Sequence, residues 1–452
     1  MCYLHYIQVG LSMPDKKLVL VLLGVFLFLV VVVAVGIKFF FGGLTQTTLT
    51  YWGLWEPESV YQTVIADYQQ KHPNVKIVYQ KQSPIQYRER LTSALAQGTG
   101  PDIFRFHNSW LPMFLSDLSP VPASVYDPAT FRQTFYPAAQ KDLLAGGQYY
   151  GIPLEIDTLA MYVNQNLFTQ SGVKVPSSWP AEFSQAASAI TVVNNGRIVR
   201  SGAALGNAGN VTHWQDILAL MMLQNGVDLT EPTGTLAEDA LNYYAGFTGG
   251  NQNTWDDTQD ESKLAFAKGN LAVYFGYSWD YFDINELAKG NALDMKVFPV
   301  PQLPGTTVNY ASYWVEGVSK HSKNQATAWD FLKFISSKEE LAKLYQAEAN
   351  LRGFGEPYGR MDMADLLKND PVVSVFINQA PTAQGWYLDS LTWDGDTGLN
   401  SRVGNYFAAA INDVHKGTDV KSALTTASSG VRQVLATYNV ISPAAVTPAA
   451  QP

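Results

Sequence analysis

Aromatic side chains stand close to acidic, amide or imidazole side chains at several places where a predicted β-strand ends. The candidate ligand contacts at these places are Trp55, Glu56, His107, Asn108, Asp157, Tyr277, Trp279, Tyr313 and Trp314. A sugar needs flat aromatic faces for its C–H surface and fixed carboxylates or amides for its hydroxyl groups. The combination predicts a carbohydrate-binding site assembled from several loops.

Each tryptophan or tyrosine, taken singly, is at least as well explained as a core residue, because its ring buries a large area. Trp179 and Trp329 follow the spacing of helix faces and are assigned to the core. Trp214 opens an amphipathic helix and fits either role. The grouping with polar side chains after strands is what favours a ligand site for the others.

The sequence contains none of the common catalytic motifs. G-x-S-x-G, the P-loop and G-x-G-x-x-G are absent, and the six histidines include no i, i+4 pair. We interpret the acidic residues at 256–261 as a helix cap and those at 394–398 as a turn. No metal and no cofactor is therefore expected. A glycoside hydrolase that uses Glu56 and Asp157 as paired carboxylates remains the alternative from another class.

The elements that must position these side chains alternate between strand and helix. The first of them are predicted as strands at 49–55, 75–80 and 102–106 and helices at 58–72 and 87–97. This order is typical of a parallel α/β sheet with right-handed crossovers. Ligands of such sheets bind beyond the carboxyl ends of the strands, where the aromatic and polar groups are found.

Length, charge and cysteine content exclude several classes of protein. The chain has 452 residues and a formal net charge of −9, from 30 lysine and arginine against 39 aspartate and glutamate residues. The length suggests two to three domains. The negative charge and the lack of a basic run argue against nucleic acid as a partner. The single cysteine, Cys2, excludes an internal disulfide.

An apolar segment near the N-terminus predicts membrane attachment. Residues 18–37 contain no charged side chain, and as a helix they would measure about 30 Å, the thickness of a bilayer core. Lys16 and Lys17 precede the segment, so the positive-inside rule places residues 1–17 in the cytoplasm. We therefore expect the globular part of the protein to be extracytoplasmic.

The exit of this segment favours a retained anchor. It lacks the small residues of a signal-peptidase site, which predicts an uncleaved transmembrane signal anchor over residues 18–41 and a linker at 42–48. Met13 is an alternative start. The Ala- and Pro-rich end, residues 441–452, is predicted to be disordered.

Five longer motifs resemble those of the ABC-transporter extracellular solute-binding proteins of family 1, the group that contains maltose-binding protein. They are GTGPDIFRFHNSW (98–110), YGIPLEIDTLAMYVNQNLF (150–168), VPSSWPAEF (175–183), FAKGNLAVYFGYSW (266–279) and SKNQATAWDFLKFISSKE (322–339). The resemblance extends from about Leu49 to Thr437. It implies a two-lobed α/β fold of the type II periplasmic-binding-protein class, with each lobe discontinuous in sequence.

The resemblance also implies where the lobes and their connections lie. Lobe 1 is expected to combine residues 49–154 with 308–356, and lobe 2 residues 157–302 with 364–440. The chain is expected to cross between them near 154–157, 302–309 and 355–365.

The same resemblance assigns ligand-facing positions. It covers the candidates named above except Tyr277 and adds Trp386, while Asn108 stands where sugar-binding members often have a carboxylate. The implied function is the capture of a mono- or oligosaccharide by a monomer and its delivery to an ABC permease, without catalysis. A sensory ectodomain acting through a partner is a further alternative.

Overall fold

The computed structural model describes residues 17, 20–21, 23–30, 46–249 and 252–442. Most of the predicted anchor at 18–41, the N-terminal residues 1–16 and residues 443–452 of the predicted tail lie outside them. Within the described ranges, no helix combines the length and the apolar character needed to cross a bilayer.

Residues 46–249 and 252–442 contain thirteen strands and sixteen α-helices, and the first five of these elements alternate as predicted. The strands are β1 (Thr47–Gly53), β2 (Val75–Lys81), β3 (Ile103–His107), β4 (Leu144–Ala145), β5 (Gln148–Tyr149), β6 (Ala160–Asn164), β7 (Val192–Asn194), β8 (Arg197–Ala203), β9 (Leu271–Gly276), β10 (Met295–Phe298), β11 (Asn309–Tyr310), β12 (Trp314–Val318) and β13 (Ala383–Gln384). The helices are α1 (Glu58–Lys71), α2 (Tyr87–Ala96), α3 (Leu111–Phe114), α4 (Pro128–Thr134), α5 (Pro137–Asp142), α6 (Gln165–Ser171), α7 (Ala181–Ile190), α8 (Trp214–Gln224), α9 (Thr235–Ala245), α10 (Ser262–Ala267), α11 (Asp280–Leu287), α12 (Gln325–Ile335), α13 (Lys338–Arg352), α14 (Val373–Gln379), α15 (Leu399–His415) and α16 (Val420–Thr437).

A four-stranded sheet with the order β12-β3-β1-β2 forms the centre of the first lobe. β1 pairs in parallel with β2 and with β3, as the strand–helix alternation predicted. β12 comes from much later in the chain and pairs antiparallel with β3, which sets Trp314 opposite His107. The end of β3 and the start of β12 therefore lie side by side at one edge of this lobe.

The second lobe contains a five-stranded sheet with the order β10-β6-β9-β8-β7. This sheet is mixed, because β8 and β9 are parallel whereas β6 and β10 are antiparallel to their neighbours. The apolar residues 271–275 lie in β9, and all residues of this strand are buried. Its C-terminal end leads directly to Trp279.

Two separate hydrophobic cores define the lobes, and the chain passes between them three times. It leaves the first core after Ile156, returns to it at Ala311, and leaves it again after Ala383. Ala383 is the last buried residue of the first core, and the second core resumes at Leu388. The helix α14, which follows the predicted crossing at 355–365, packs on both cores, with Val373 and Ile377 in the first and Phe376 in the second.

The segment expected to form the third crossing pairs with the segment of the first one. The backbone N–H of Ile156 donates to the carbonyl of Pro357 at 2.9 Å, and Glu155 pairs with Tyr358 in an antiparallel bridge. Gly359 allows this close approach, since a Cβ there would lie 2.4 Å from the carbonyl oxygen of Pro153. The pairing fixes Glu155 at the boundary between the lobes.

Candidate functional site

A cavity of about 510 Å³ lies between the lobes. The first lobe and its crossing segments contribute Trp55, His107, Glu155, Ser312, Trp314, Arg352 and Glu356 to its wall, and the second lobe contributes Lys263, Trp279, Phe282, Asp283, Ser390, Leu391 and Trp393. Side chains from both lobes therefore face one space, and a molecule within it would touch both.

Tryptophan rings form much of the wall of this cavity. The rings of Trp55 and Trp314 meet edge to face with their centroids 5.5 Å apart, and Trp393 approaches Trp55 at 6.4 Å. On the opposite lobe, Trp279 stacks on Tyr277 at 4.5 Å. Each ring is held by another ring, so these apolar faces are arranged before any ligand arrives.

A buried ionic cluster lies beneath the first-lobe side of the cavity. Arg105 on β3 lies 2.7 Å from a carboxylate oxygen of Glu56 and 2.7 Å from one of Glu316, while Glu155 lies 3.7 Å away. The hydroxyl of Tyr51 also donates to Glu316 at 2.7 Å. Burial opposes the charge of Arg105, but the three carboxylates outweigh it and raise the pKa of the guanidinium.

His107 is a neutral hydrogen-bonding group in this wall. Burial lowers the pKa of His107 to about 3. Its Nδ1 lies 2.7 Å from the hydroxyl oxygen of Ser109, and its Nε2 lies 3.0 Å from the hydroxyl oxygen of Ser312. Both ring nitrogens therefore have a hydroxyl partner.

Four of the predicted ligand contacts line the cavity. They are Trp55, His107, Trp279 and Trp314. Three others are buried behind it: Glu56 is bound to Arg105, Tyr277 lies under Trp279 and donates to Asp216 at 2.7 Å, and Asp157 accepts hydrogen bonds from the backbone N–H and the hydroxyl of Ser278 at 2.9 and 2.5 Å. These three side chains support the wall and do not line the cavity.

The remaining three predicted contacts belong to another part of the interlobe boundary. Asn108 and Trp386 line a second cavity of about 940 Å³, and neither faces the tryptophan-lined one. Asn108 donates to Asp142 at 2.9 Å, and the hydroxyl of Tyr313 donates to the same carboxylate at 3.1 Å. Burial raises the pKa of Asp142 to about 6. Asn108, Tyr313 and Asp142 therefore satisfy one another's hydrogen bonds within the first lobe.

Several residues of the cavity were not singled out from the sequence. Trp393 is the clearest case, and it is 42% exposed with a positive φ of 56°. It directly precedes the acidic turn at 394–398, where Asp394 accepts hydrogen bonds from the backbone N–H groups of Asn400 and Ser401 at the start of α15. In the sequence, the feature that could have pointed to Trp393 is its place directly before an acidic turn.

The two acidic clusters have the structural roles that the sequence predicted. The carboxylate of Glu261 accepts from the N–H groups of Lys263 and Leu264 at 3.1 and 3.3 Å and so caps α10. Residues 394–398 form a turn. Among the described residues, no group of three or more side chains is arranged to hold a metal ion.

Comparison with known proteins identifies the family. Residues 63–354 match the bacterial extracellular solute-binding proteins. The chain belongs to this family. The match confirms the resemblance inferred from the sequence and agrees with an extracytoplasmic globular part.

Individual relatives of this solute-binding protein are distant. A maltotriose-binding protein of Pyrococcus abyssi is 23% identical over 327 residues, which are 70% of this chain and 67% of the relative. The sugar-binding protein MalE of Xanthomonas citri has a TM-score of 0.69 at 21% identity and covers 87% of this chain and 98% of its own. A cyclo/maltodextrin-binding protein complexed with maltotetraose has a TM-score of 0.67 at 18% identity, covering 86% and 97%. These structures confirm the two-lobed α/β fold.

A buried histidine makes the stability of the solute-binding protein depend on pH. His213 Nε2 lies 2.8 Å from Asp280, and Nδ1 lies 3.7 Å from Asp216. Burial opposes the charged ring, but Asp280 and Asp216 outweigh it and raise the pKa of His213 to about 9, from 6.5 for an ordinary histidine. A histidine whose pKa is higher in the folded than in the unfolded state stabilises the protein fully at pH values below its unfolded-state pKa. This stabilisation is lost as the pH rises through its folded-state pKa.

We therefore expect the free energy of unfolding to fall between pH 6.5 and about 9, by up to about 3 kcal/mol. Denaturant titration at several pH values measures it. His213→Gln should lower stability at pH 6.5 and flatten the slope, whereas His321→Gln, at an exposed site, should keep the wild-type slope. Equal slopes for wild type and His213→Gln would contradict this assignment.

Proposed function

We propose that this protein captures a mono- or oligosaccharide in the tryptophan-lined cavity and delivers it to the permease of an ABC import system. The observation that carries the proposal is the convergence of Trp55, Trp314, Trp279 and Trp393 from both lobes on a single cavity. Rings of this kind cover the C–H faces of a sugar, and the polar groups between them can bind its hydroxyls. The names of the relatives, which refer to maltotriose and maltodextrin, support the same class of ligand.

Binding in this proposal is a shift between open and closed arrangements of the lobes. A ligand that touches Trp314 on one lobe and Trp279 on the other makes all its contacts only when the lobes are together, so it favours the closed form. The permease would then recognise the closed form. No bond is made or broken in this cycle, and the protein acts as a monomer.

The N-terminal apolar segment indicates where in the cell the protein is held. We infer that residues 18–41 anchor the chain in the membrane with residues 1–17 in the cytoplasm, on the strength of the uncharged sequence at 18–37 and the preceding lysines. An anchored binding protein would deliver its ligand to nearby permeases and would not diffuse through the extracytoplasmic space.

The two carboxylates proposed for the hydrolase alternative are engaged elsewhere in the protein. Glu56 is bound to Arg105, Asp157 is bound to Ser278, and neither lines the cavity. Paired carboxylates for glycoside hydrolysis must both reach the scissile bond, at a separation of about 5–10 Å. Release of reducing ends from an oligosaccharide incubated with the protein would nevertheless overturn the proposal of binding without catalysis.

A thermal-shift screen of the full chain in detergent micelles tests the proposed function. A ligand that binds only the folded protein stabilises it by RT ln(1 + [L]/Kd), about 2.7 kcal/mol at one hundred times the Kd. We expect the midpoint to rise with at least one mono- or oligosaccharide and to stay constant with amino acids and small peptides. A rise with those solutes and with none of the sugars would contradict the proposal.

A further inference from the structure

Glu155 is a buried carboxylate in the cavity wall that has no close partner. Its residue surface is 8% exposed and it lines the tryptophan-lined cavity. Within residues 46–249 and 252–442, its one charge contact is Arg105 at 3.7 Å, and its carboxylate takes part in no hydrogen bond. Buried carboxylates are normally paired or hydrogen-bonded, so this one requires an explanation.

Arg105 cannot neutralise Glu155 alone, because it is already shared. It lies 2.7 Å from both Glu56 and Glu316, and the remaining oxygens of these two carboxylates have no hydrogen-bond partner among the described residues. One guanidinium therefore serves three buried carboxylates. The first-lobe side of the cavity therefore has more carboxyl groups than cations.

The two cations in the cavity wall are also occupied. Lys263 lies 3.0 Å from Asp280 and 2.9 Å from Asp283. Arg352 is bound to Glu356 and lies 3.6 Å from Glu348. Each of these cations faces two carboxylates, so neither is available to Glu155, and neither offers an uncompensated positive charge to an anionic ligand.

The aromatic part of the wall also favours a positively charged ligand. The faces of tryptophan rings carry negative quadrupole potential and attract cations, and the attraction grows when water is excluded. Trp55, Trp314 and Trp393 form one such wall around the space that Glu155 faces, and Trp279 forms the other. A ring-shaped solute with an ammonium group could use both features together.

We propose that the ligand is a carbohydrate that carries a protonated amino group, with Glu155 as its counter-charge and the tryptophan rings as its platform. This inference rests on the proposed function and narrows it to amino sugars and their oligomers. The ammonium group would sit against Glu155, the hydroxyls would meet the polar groups between the rings, and the cluster around Arg105 would hold Glu155 in place.

The protonation of Glu155 should change when such a ligand binds. The charged and titratable groups that face it are Arg105, Glu56, Glu316, Glu348, Glu356, Arg352, Tyr61 and His107 in the first lobe, Tyr345 and Tyr358 behind it, and Lys263 and Asp283 across the cavity. Burial raises the pKa of Glu155, an effect that Arg105 opposes and Glu356 reinforces. An ammonium group would stabilise the ionised form, so binding should release a proton.

Titration calorimetry on the full chain in detergent micelles tests this inference. The probes are di- and trisaccharides of glucosamine, the same oligomers N-acetylated, which are neutral, and neutral glucose oligomers of equal length. We expect the free-amine oligomers to bind at least about tenfold more tightly than their acetylated forms. Heats measured in two buffers of different ionisation enthalpy should report proton release for the free-amine oligomers only.

Glu155→Gln keeps the shape of the side chain and removes its charge. It should therefore bring the ratio of affinities for free-amine and acetylated oligomers close to one, and it should abolish proton release. Glu340→Gln is the matched control, since Glu340 is also buried but pairs with Lys343 on α13, and it should keep the preference. If Glu155→Gln fails to fold, the affinity ratio and the buffer dependence of the wild type decide.

The possible failures can be told apart. Equal or tighter binding of the neutral oligomers would overturn the amino-sugar inference and leave the carbohydrate proposal intact. A preference that survives in Glu155→Gln would overturn the role of Glu155. Absence of binding to any of the oligosaccharides, together with no response in the sugar screen, would overturn both the inference and the function on which it rests.

Discussion

Replacing Arg105 with methionine is expected to lower the free energy of unfolding by about 3–5 kcal/mol, because it leaves buried carboxylates without their cation. Arg105 is 1% exposed and holds Glu56 and Glu316 at 2.7 Å. Methionine fills much of the same volume, so the loss should come from the uncompensated charges more than from a void. Denaturant unfolding followed by circular dichroism measures the change.

The matched control is Arg132→Met, at an exposed position on α4, which should change stability by less than about 0.5 kcal/mol. Adding Glu56→Gln and Glu316→Gln to Arg105→Met should recover part of the loss, since the stranded charges are then removed. Equal stability of Arg105→Met and Arg132→Met would mean that the buried cluster contributes no more than an exposed arginine.

Much of the fold was predictable because the early strands and helices follow clear local patterns. Leu49 and Tyr51 alternate with exposed or half-buried residues in β1, and the wholly apolar run of β9 marks a strand buried on both faces. The position of the third crossing, predicted near 355–365, depends on non-local contacts. The Gly-rich stretch near Gly359 looks like a hinge, but it pairs with the crossing segment at Glu155, which only the folded chain brings near.

The candidate site was predictable only in part, because a strand exit does not reveal which side chains face the ligand space. Trp55 lines the cavity while its neighbour Glu56 turns inward to Arg105. Trp279 faces the cavity while Tyr277 supports it from behind. Trp55 and Glu56 point in different directions, whereas Trp279 covers the ring of Tyr277. Sequence spacing reports neither arrangement.

Trp279→Ala is expected to weaken carbohydrate binding about 5- to 150-fold, since stacking on one aromatic platform is worth about 1–3 kcal/mol by alanine substitution. Trp279 suits the test better than Trp314. Trp314 is 6% exposed and packs edge to face on Trp110 at 5.4 Å, so its removal would also disturb the first-lobe core. Trp279 is only partly buried and stacks on Tyr277 at 4.5 Å.

Titration of wild type and variants with a sugar that raises the wild-type melting midpoint measures the loss in affinity. Trp386→Ala is the control, because that ring lines the other interlobe cavity and its loss should leave the affinity unchanged. The melting midpoint of each unliganded variant separates a change in folding from a change in binding. If Trp279→Ala binds as tightly as wild type, or if Trp386→Ala loses the affinity instead, the ligand occupies a different space and the tryptophan-lined cavity is not the binding site.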